Sequence, residues 1–242
     1  DVGIMIGFGL DDCDWLTDFT QKLHNYVVSL QDLPKINQIP SMKSALNDCD
    51  IDEVNQPSIE HFWTKYFHLH RPVKLTNCIN HWPATTKWKD LNYFMQIGAY
   101  RTVPIELGRT YDDDDWGQNL FQFGDFIKEF MTGGGDEKVT KAYLAQHDLF
   151  DQIPLLKKDF LIPDYCAISS HDPVIKSWIG PKGTISTMHT DDKSNILAQV
   201  MGEKLIILAS PSESDNLYPY EGMLNNTTQV DAENLDFEKF PL

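Results

Sequence analysis

Apolar residues recur at three- and four-residue steps near the beginning of the chain. The members of this stripe are Trp15, Leu16, Phe19, Leu23, Tyr26, Val27 and Leu30. Because such spacing places side chains on one face of an α-helix, it predicts an amphipathic helix of about four to five turns. Asp12 or Asp14 stands where a carboxylate can cap the first turn. The polar stretch over 33–56, interrupted by Pro34 and Pro40, predicts an irregular linker.

The pattern changes at Pro57, from which short helices give way to short strands. Ser58 is placed to cap the first of these helices. The predicted helices cover 59–67, 91–97 and 126–130, and the predicted strands cover 71–75, 101–107, 142–146, 175–179, 184–189, 195–201 and 204–209. Helices followed by many short strands indicate a mainly β fold with a helical lead-in. We therefore divide the chain into a helical N-terminal region with a linker, 1–56, and a β-rich domain, 57–242.

The two predicted strands around Gly202 and Glu203 form a hairpin with a defined register. A two-residue loop that begins with glycine suits a type II′ turn. Met201 then pairs with Lys204, and Asn195 lies on the same side of the sheet as both. Both sides of this hairpin are largely apolar, so we expect both to be covered.

Lys204 is the unusual residue of this hairpin, because its ammonium group would face inward among apolar neighbours. Such a charge is costly unless an anion pairs with it. The anion would be a protein carboxylate or the carboxylate of a bound ligand. The alternative is that Lys204, which lies next to a turn, extends its ammonium group to water. Asn195 can donate and accept hydrogen bonds in the same cavity.

The charge balance of the chain is acidic, with 36 acidic and 20 basic residues and a formal net charge of −16. Binding of phosphates requires clustered lysine and arginine, so we expect no direct contact with nucleic acid. A basic polypeptide suits this charge as a partner, although solubility alone also explains it. The acidic run 112–115 admits the same two interpretations, a docking patch for a basic peptide or a solvated turn.

The cysteines and the apolar runs bear on the cellular setting. Four cysteines lie far apart and form no Cys-x-x-Cys pair. This spacing favours buried thiols in a reducing intracellular compartment, the nucleus or the cytoplasm, over a disulfide framework or a zinc site. The apolar run 3–10 is too short to span a bilayer and lacks the basic flank of a signal peptide. We therefore expect no membrane association.

His189 and Asp191 are the residues most typical of a catalytic metal site. Residues two apart on a strand share a face, so the imidazole and the carboxylate would point to the same place. They are two thirds of the 2-His-1-carboxylate triad, which holds a non-haem Fe(II) with positions open for substrate and oxygen. A His-x-Asp triplet is common by chance, and the surrounding segments decide its meaning.

Those segments resemble the JmjC (jumonji-C) family of the cupin superfamily. The resemblance lies in Trp178 to Asp191, then in Asn195, in Gln199 to Lys204 and in Ser210-Pro211. Further matching stretches are 102–108, 143–147, 162–166 and 228–241. The resemblance covers the chain from about residue 57 onward. It implies a cupin-type double-stranded β-helix, or jelly roll, that uses Fe(II), 2-oxoglutarate and O2.

The resemblance also implies roles for single residues. His189 and Asp191 match the iron ligands, and Lys204 matches the lysine that binds the distal carboxylate of 2-oxoglutarate. The positions that match the cosubstrate pocket are Tyr143, Ser186, Asn195 and Trp178, and Glu106 matches an acidic position near the polypeptide substrate. The alternative is that Tyr143 and Trp178 are aromatic residues of the core. The implied reaction hydroxylates arginyl side chains or demethylates lysyl side chains of a basic polypeptide.

The sequence departs from the family pattern in its third iron ligand. The family completes the triad with a histidine on a later strand, whereas no histidine follows His189. One explanation is that the sequence is a fragment of an active oxygenase, with a C-terminally incomplete jelly roll. The other is an inactive, truncated JmjC protein that acts as a binding or scaffold module. The intact iron and cosubstrate positions favour the fragment, although the chain as written is expected to lack activity.

Overall fold

The computed structural model describes residues 14–30, 51–108, 116–132 and 141–241. The described α-helices are α1 (Asp14–Leu30), α2 (Ile59–Phe62), α3 (Ala84–Lys87), α4 (Leu91–Gly98), α5 (Phe123–Phe126) and α6 (Leu149–Gln152). The described strands are β1 (Glu53–Asn55), β2 (Lys74–Thr76), β3 (Thr102–Leu107), β4 (Gly117–Gln122), β5 (Ala142–His147) and β6 (Ser177–Ile179). None of the helices in these ranges is long and apolar enough to cross a membrane.

Helix α1 confirms the predicted N-terminal helix but packs through a polar face. His24 is buried, and its Nε2 lies 3.2 Å from the carbonyl oxygen of Gln96. Gln21 donates to the carbonyl of Ile97 at 3.4 Å and accepts from Arg101 Nη1 at 3.1 Å. These contacts satisfy carbonyls at the C-terminal end of α4, which have no partner within their own helix.

The apolar stripe of α1 is therefore not the face that packs on α4. Phe19, Leu23 and Tyr26 are exposed, Tyr26 by 62%. The helical period was read correctly from the sequence, but periodicity does not indicate which face finds a partner. Asp12, which we expected to cap this helix, lies outside the described residues, as does the acidic run 112–115.

A short helical segment follows Pro57, as predicted. The hydroxyl of Ser58 accepts a hydrogen bond from the backbone N–H of His61 at 3.1 Å, which confirms the predicted cap of α2. The helix continues as a π-helical turn over Trp63–Phe67. A second π-helical turn, Ile127–Met131, continues α5 in the same way.

The linker predicted over 33–56 was wrong at its end. Strand β1 lies within it and pairs in parallel with β2, with Val54 opposite Leu75. The salt bridge between Lys74 and Glu53, at 2.5 Å, also joins the two strands. A three-residue strand with two polar members has too short a pattern to be recognised before its partner is known.

The main sheet has the order β4-β3-β5-β6, and its neighbouring strands are antiparallel. One face of this sheet forms the core, where Val103, Ile105 and Leu144 are fully buried. Helices α4 and α5 cover that face and add a group of buried apolar side chains, among them Leu91, Phe94, Met95, Phe123 and Phe126. The opposite face carries the alternate residues of the same strands.

The strands predicted over 184–189, 195–201 and 204–209 are not formed in the described residues. No backbone hydrogen bond joins the two arms of the predicted hairpin, although Gly202 has the positive φ of 75° that its turn requires. Leu197 and Leu208 are more than half exposed. A β-strand forms only where the backbone of a neighbouring strand exchanges hydrogen bonds with it, so an apolar sequence pattern alone does not produce a strand. The described residues accordingly form no closed barrel.

A buried carboxylate joins three helical elements behind the sheet. Asp159 has no exposed surface and accepts hydrogen bonds from Lys87 Nζ at 2.6 Å, Tyr93 Oη at 2.6 Å and Trp88 Nε1 at 3.1 Å. Burial alone would raise the pKa of Asp159, but the hydrogen bonds from Lys87, Tyr93 and Trp88 outweigh it and hold the pKa below its ordinary value. Burial and the bond to Asp159 also raise the pKa of Tyr93, which therefore remains a donor.

We expect Asp159→Asn to lower the free energy of unfolding at pH 7 by about 1–3 kcal/mol, because an amide has only one accepting oxygen and leaves at least one of the three donors without its acceptor. Lys87 is half exposed, so solvent screening keeps the loss in the lower part of that range. Because the pKa of Asp159 is lower in the folded state, its contribution is complete above about pH 4 and is lost as the pH falls further. Urea unfolding at pH 7 and pH 3 should show the gap between wild type and variant narrowing. A gap independent of pH would contradict this assignment.

Gly124 allows α5 to approach the residue that follows α4. A β-carbon at this position would lie 2.9 Å from Ala99 Cβ and 3.0 Å from the Ala99 carbonyl oxygen, which accepts a hydrogen bond from Gly124 N. We expect Gly124→Ala to lower the free energy of unfolding by about 1–3 kcal/mol through overpacking. Gly117→Ala is the matched control, because no atom lies within 4 Å of a β-carbon there. Equal unfolding midpoints for the two variants would show that the contact has no such role.

Candidate active site

The segment that contains His189 is held by the chain near residue 227. The backbone N–H of Thr190 donates to Asn226 at 2.8 Å, and that of Thr228 donates to Met188 at 3.0 Å. His189 and Thr227 form the antiparallel bridge between the two segments. Thr227 and Thr228 are buried, so the segment that carries His189 rests on a packed support.

The imidazole of His189 has a fixed orientation. Its Nδ1 lies 2.6 Å from the carbonyl oxygen of Thr187. A carbonyl oxygen can only accept, so Nδ1 carries a proton, and in the neutral ring Nε2 carries the lone pair. Nε2 lies 3.7 Å from Oδ1 of Asp191. This arrangement is typical of a histidine that binds a metal ion, whose other ring nitrogen donates to a backbone carbonyl.

The carboxylate of Asp191 is oriented by Asn195. The side-chain amide of Asn195 donates to Oδ2 of Asp191, which leaves Oδ1 as the oxygen closer to His189 Nε2. The resemblance placed Asn195 in the cosubstrate pocket, whereas its hydrogen bond in the structure is to Asp191, one of the two predicted metal ligands. The spacing of four residues between Asp191 and Asn195 would not have indicated this bond outside a helix.

Tyr143 and Lys204 lie together, although they are far apart in the sequence. Lys204 Nζ donates to Tyr143 Oη at 2.8 Å and lies 5.5 Å from the centre of the ring. Tyr143 is buried, and Lys204 is exposed. No carboxylate of a described residue lies within 4 Å of Lys204, so its partner in this part of the chain is a phenol rather than a protein anion.

Glu106 and Trp178 share the face of Tyr143 on the main sheet. Glu106 is directly opposite Tyr143 in the β3–β5 register. Ile179 is opposite the buried Leu144, so Trp178, one residue before Ile179, lies on the other face, with Tyr143. Burial raises the pKa of the Glu106 carboxyl, and the indole N–H of Trp116 offsets only part of that rise.

Two of the predicted site residues form no hydrogen bond, ion pair or ring contact with the others among the described residues. Ser186 is exposed and forms no hydrogen bond with a described residue. The indole of Trp178 is 40% exposed and forms no hydrogen bond or ring contact with one either. The side chains that do interact fall into two groups, one formed by His189, Asp191 and Asn195 and the other by Tyr143 and Lys204.

The donors of the first group suit a divalent first-row metal ion. Two atoms that each bind one ion at about 2.1 Å can be no more than about 4.2 Å apart. The 3.7 Å between His189 Nε2 and Asp191 Oδ1 satisfies this limit. Within the described ranges, no group of three or more His, Cys, Asp or Glu side chains could hold a metal ion. These ranges thus supply two oriented donors.

Comparisons with known proteins show which family this chain is similar to. The family model described as a cupin-like domain matches residues 59–242. A Drosophila melanogaster protein named Jumonji C domain-containing protein 5 is 45% identical over 233 residues, which are 94% of this chain and 57% of that protein. Lysine-specific demethylase 8 of Danio rerio is 40% identical over 218 residues, covering 84% of this chain and 53% of the relative.

A plant relative shows the same similarity. Lysine-specific demethylase JMJ30 of Arabidopsis thaliana is 44% identical over 186 residues, covering 76% of this chain and 43% of the relative. The chain thus spans about half the length of the curated relatives it matches. The match over 59–242 includes the main sheet, the Tyr143–Lys204 pair and the His189–Asp191 pair. The chain therefore belongs to the cupin-like family of JmjC domains.

Proposed function

We propose that this chain carries the Fe(II)- and 2-oxoglutarate-binding part of a protein oxygenase that acts on basic side chains. The observation that carries this proposal is the His189–Asp191 donor pair, in which hydrogen bonds orient both side chains. An exposed histidine and an exposed aspartate whose side chains were not oriented in this way would be explained as ordinary surface residues. Two oriented donors with neighbouring atoms at 3.7 Å favour a metal ion instead.

His189 and Asp191 would hold the iron, and their neighbours keep them ready to bind it. When bound with 2-oxoglutarate, Fe(II) supplies the activation of O2 that oxidises a substrate C–H bond. The carbonyl of Thr187 keeps the His189 lone pair on Nε2. Asn195 limits rotation of the Asp191 carboxylate. Such preorganisation lowers the conformational entropy that binding would otherwise cost.

Lys204 and Tyr143 would bind the distal carboxylate of 2-oxoglutarate. The ammonium of Lys204 supplies the charge, and hydrogen bonds between an ammonium and a carboxylate are among the stronger ones in proteins. Because the Tyr143 hydroxyl accepts from Lys204, its own proton can be donated to the same carboxylate. This proposal replaces the protein anion that the sequence pattern admitted as a partner of Lys204.

Glu106 and Trp178 would face the polypeptide substrate, which moves Trp178 out of the cosubstrate pocket that the resemblance implied for it. A carboxylate and an indole on one face of the sheet together suit a cationic side chain, through an ion pair and a cation–π contact. Burial raises the pKa of Glu106. A bound cation would act in the opposite direction, because it favours the ionised carboxylate. The substrate would thus present an arginine or a lysine.

Two reactions fit this substrate class. The first is hydroxylation of an arginyl C–H bond, and the second is oxidative removal of a methyl group from a lysyl side chain. The relatives from Danio rerio and Arabidopsis thaliana reported above are named lysine-specific demethylases, which supports the second reaction. The widely spaced cysteines and the acidic charge support an activity inside the cell, in the nucleus or the cytoplasm, on proteins rather than on nucleic acid.

Lys204→Met in the full-length protein should weaken binding of 2-oxoglutarate by about 10- to 100-fold, the loss expected for a charged hydrogen bond. Binding of the metal alone should change less than about twofold, because Lys204 does not contact His189 or Asp191. Isothermal titration with Mn(II), and then with 2-oxoglutarate at saturating Mn(II), measures both. Lys193→Met is the matched control, since Lys193 is also exposed. Equal losses of metal and 2-oxoglutarate binding would assign Lys204 to folding.

The full-length protein should convert 2-oxoglutarate to succinate when Fe(II), O2 and a basic peptide are supplied. Mass spectrometry of arginine peptides and of methylated lysine peptides separates the two reactions, since one gains an oxygen atom and the other loses a methylene unit. His189→Ala is the control and should abolish turnover. Absence of turnover from wild-type protein that binds both metal and 2-oxoglutarate would favour a binding or scaffold role over catalysis.

A further inference from the structure

We propose that a buried hydrogen-bond network at the end of β5 positions Trp178, with His147 and Gln152 as its central residues. The network joins three strands at the point where the main sheet separates. The inference rests on the proposed function in one respect, the role of Trp178 in binding the polypeptide.

The separation of β3 from β5 creates the need for such a network. Each strand has six residues, but they pair only at Glu106↔Tyr143 and Leu107↔Ala142. Pro104 lies beyond these pairs and has no N–H to continue the ladder. The remaining halves of the two strands diverge, and their backbone groups need other partners.

Gln152 spans the separated ends of β3 and β5. Its side-chain amide donates to the carbonyl of Thr102 at 2.5 Å, and its Oε1 lies 2.8 Å from His147 Nε2. Gln152 and His147 are both buried. The bridge holds the first residue of β3 at a fixed distance from the last residue of β5.

The direction of these hydrogen bonds is determined. A carbonyl only accepts, so the Gln152 nitrogen must point to Thr102 and its oxygen to His147. His147 then donates from Nε2, which fixes its tautomer. Burial is the main reason why the pKa of His147 is lowered, so the ring is neutral at physiological pH. A neutral donor in a buried site avoids the cost of desolvating a charge.

The β5–β6 pairing changes register at this network. Between Leu144↔Ile179 and His147↔Ser177, β5 advances by three residues and β6 by two. The additional residue is accommodated at Gln146, which has a positive φ of 50°. Such a bulge redirects the side chains near it, and Trp178 is the β6 residue that lies opposite.

Two further contacts attach β6 to the same corner. Ser177 is buried and donates from its hydroxyl to the carbonyl of His147 at 2.9 Å. Lys176 Nζ contacts both carboxylate oxygens of Asp148 at 2.7 Å. The residues before Trp178 are therefore tied to His147 and to its neighbour, while Ile179 is tied to Leu144 by the strand pairing.

Trp178 itself has no comparable attachment. Its indole forms no hydrogen bond or ring contact with a described residue and is 40% exposed. The polar contacts that restrain this position are therefore those of the backbone and neighbours on both sides of Trp178, and the network fixes that backbone. His147 and Gln152 are positioning residues, because they act on the substrate through Trp178.

Gln152→Met and Lys176→Met in the full-length protein test this inference. Acrylamide quenching is measured for wild type and for each variant, with and without the additional change Trp178→Phe. The difference within each pair reports the exposure of Trp178. We expect the quenching of Trp178 to change in both variants and the KM for a basic peptide to rise about tenfold, as for a misplaced binding group. Affinities for Mn(II) and 2-oxoglutarate should stay within about twofold of wild type.

His24→Met is the matched control, because His24 is another buried histidine that contacts a carbonyl, at the helix α1. It should lower the melting temperature without changing the quenching of Trp178. Unchanged quenching in both Gln152→Met and Lys176→Met would overturn the inference, whether or not the protein binds peptides. A change in quenching together with a wild-type protein that binds no basic peptide would support the positioning role and count against the proposed function instead.

Discussion

The alternation of side chains along β3 and β5 is the constraint on which the candidate site depends. Val103, Ile105 and Leu144 are buried against the helices, so their neighbours must lie on the opposite face. Glu106 and Tyr143 occupy that face because the antiparallel register places them side by side. A shift of one residue would exchange the two faces and bury the polar groups in the core. The hydrophobic core therefore stabilises the fold and at the same time selects which side chains are available for chemistry.

The chemistry depends further on contacts between distant parts of the chain. Lys204 reaches Tyr143 across 61 positions, and the segment of His189 rests on residues near Thr227. Each of these contacts restrains one of the two groups of site residues. The acidic charge of the whole chain adds a field that favours a cationic partner but does not select one. In the proposed function, Glu106 and Trp178 are the local groups that would select it.

Sequence patterns predicted the elements whose stability is local or strongly periodic. The cap at Ser58, the helix α4 and the strand β3 were of this kind, since their signals lie within a few neighbouring residues. The helical lead-in was also predicted, but its packing through His24 was not, because a polar face gives no hydrophobic signal.

The remaining differences between the predictions and the structure share one cause, which is pairing between segments that are distant in the sequence. The strands expected over 184–209 need partners along their backbones, and their apolar pattern contains no information on whether these partners are present. The bridge from His147 through Gln152 to Thr102 depends on the separation of two strands, which no residue spacing indicates. The site residues themselves came from resemblance, and the structure adds the orienting groups, such as the Thr187 carbonyl and the Asn195 amide.

The close contact between Gly124 and Ala99 also has a consequence for how this sequence can change over time. The two positions share a fixed volume, since the backbones of the segments approach too closely for a further carbon atom. Acceptable replacements at one position therefore depend on the other, and enlargement of either must be accompanied by a movement of α5. That movement would shift the aromatic residues that α5 contributes to the core. Replacements at this pair are thus confined to small residues, while positions with open space around them, such as Gly117, can vary independently.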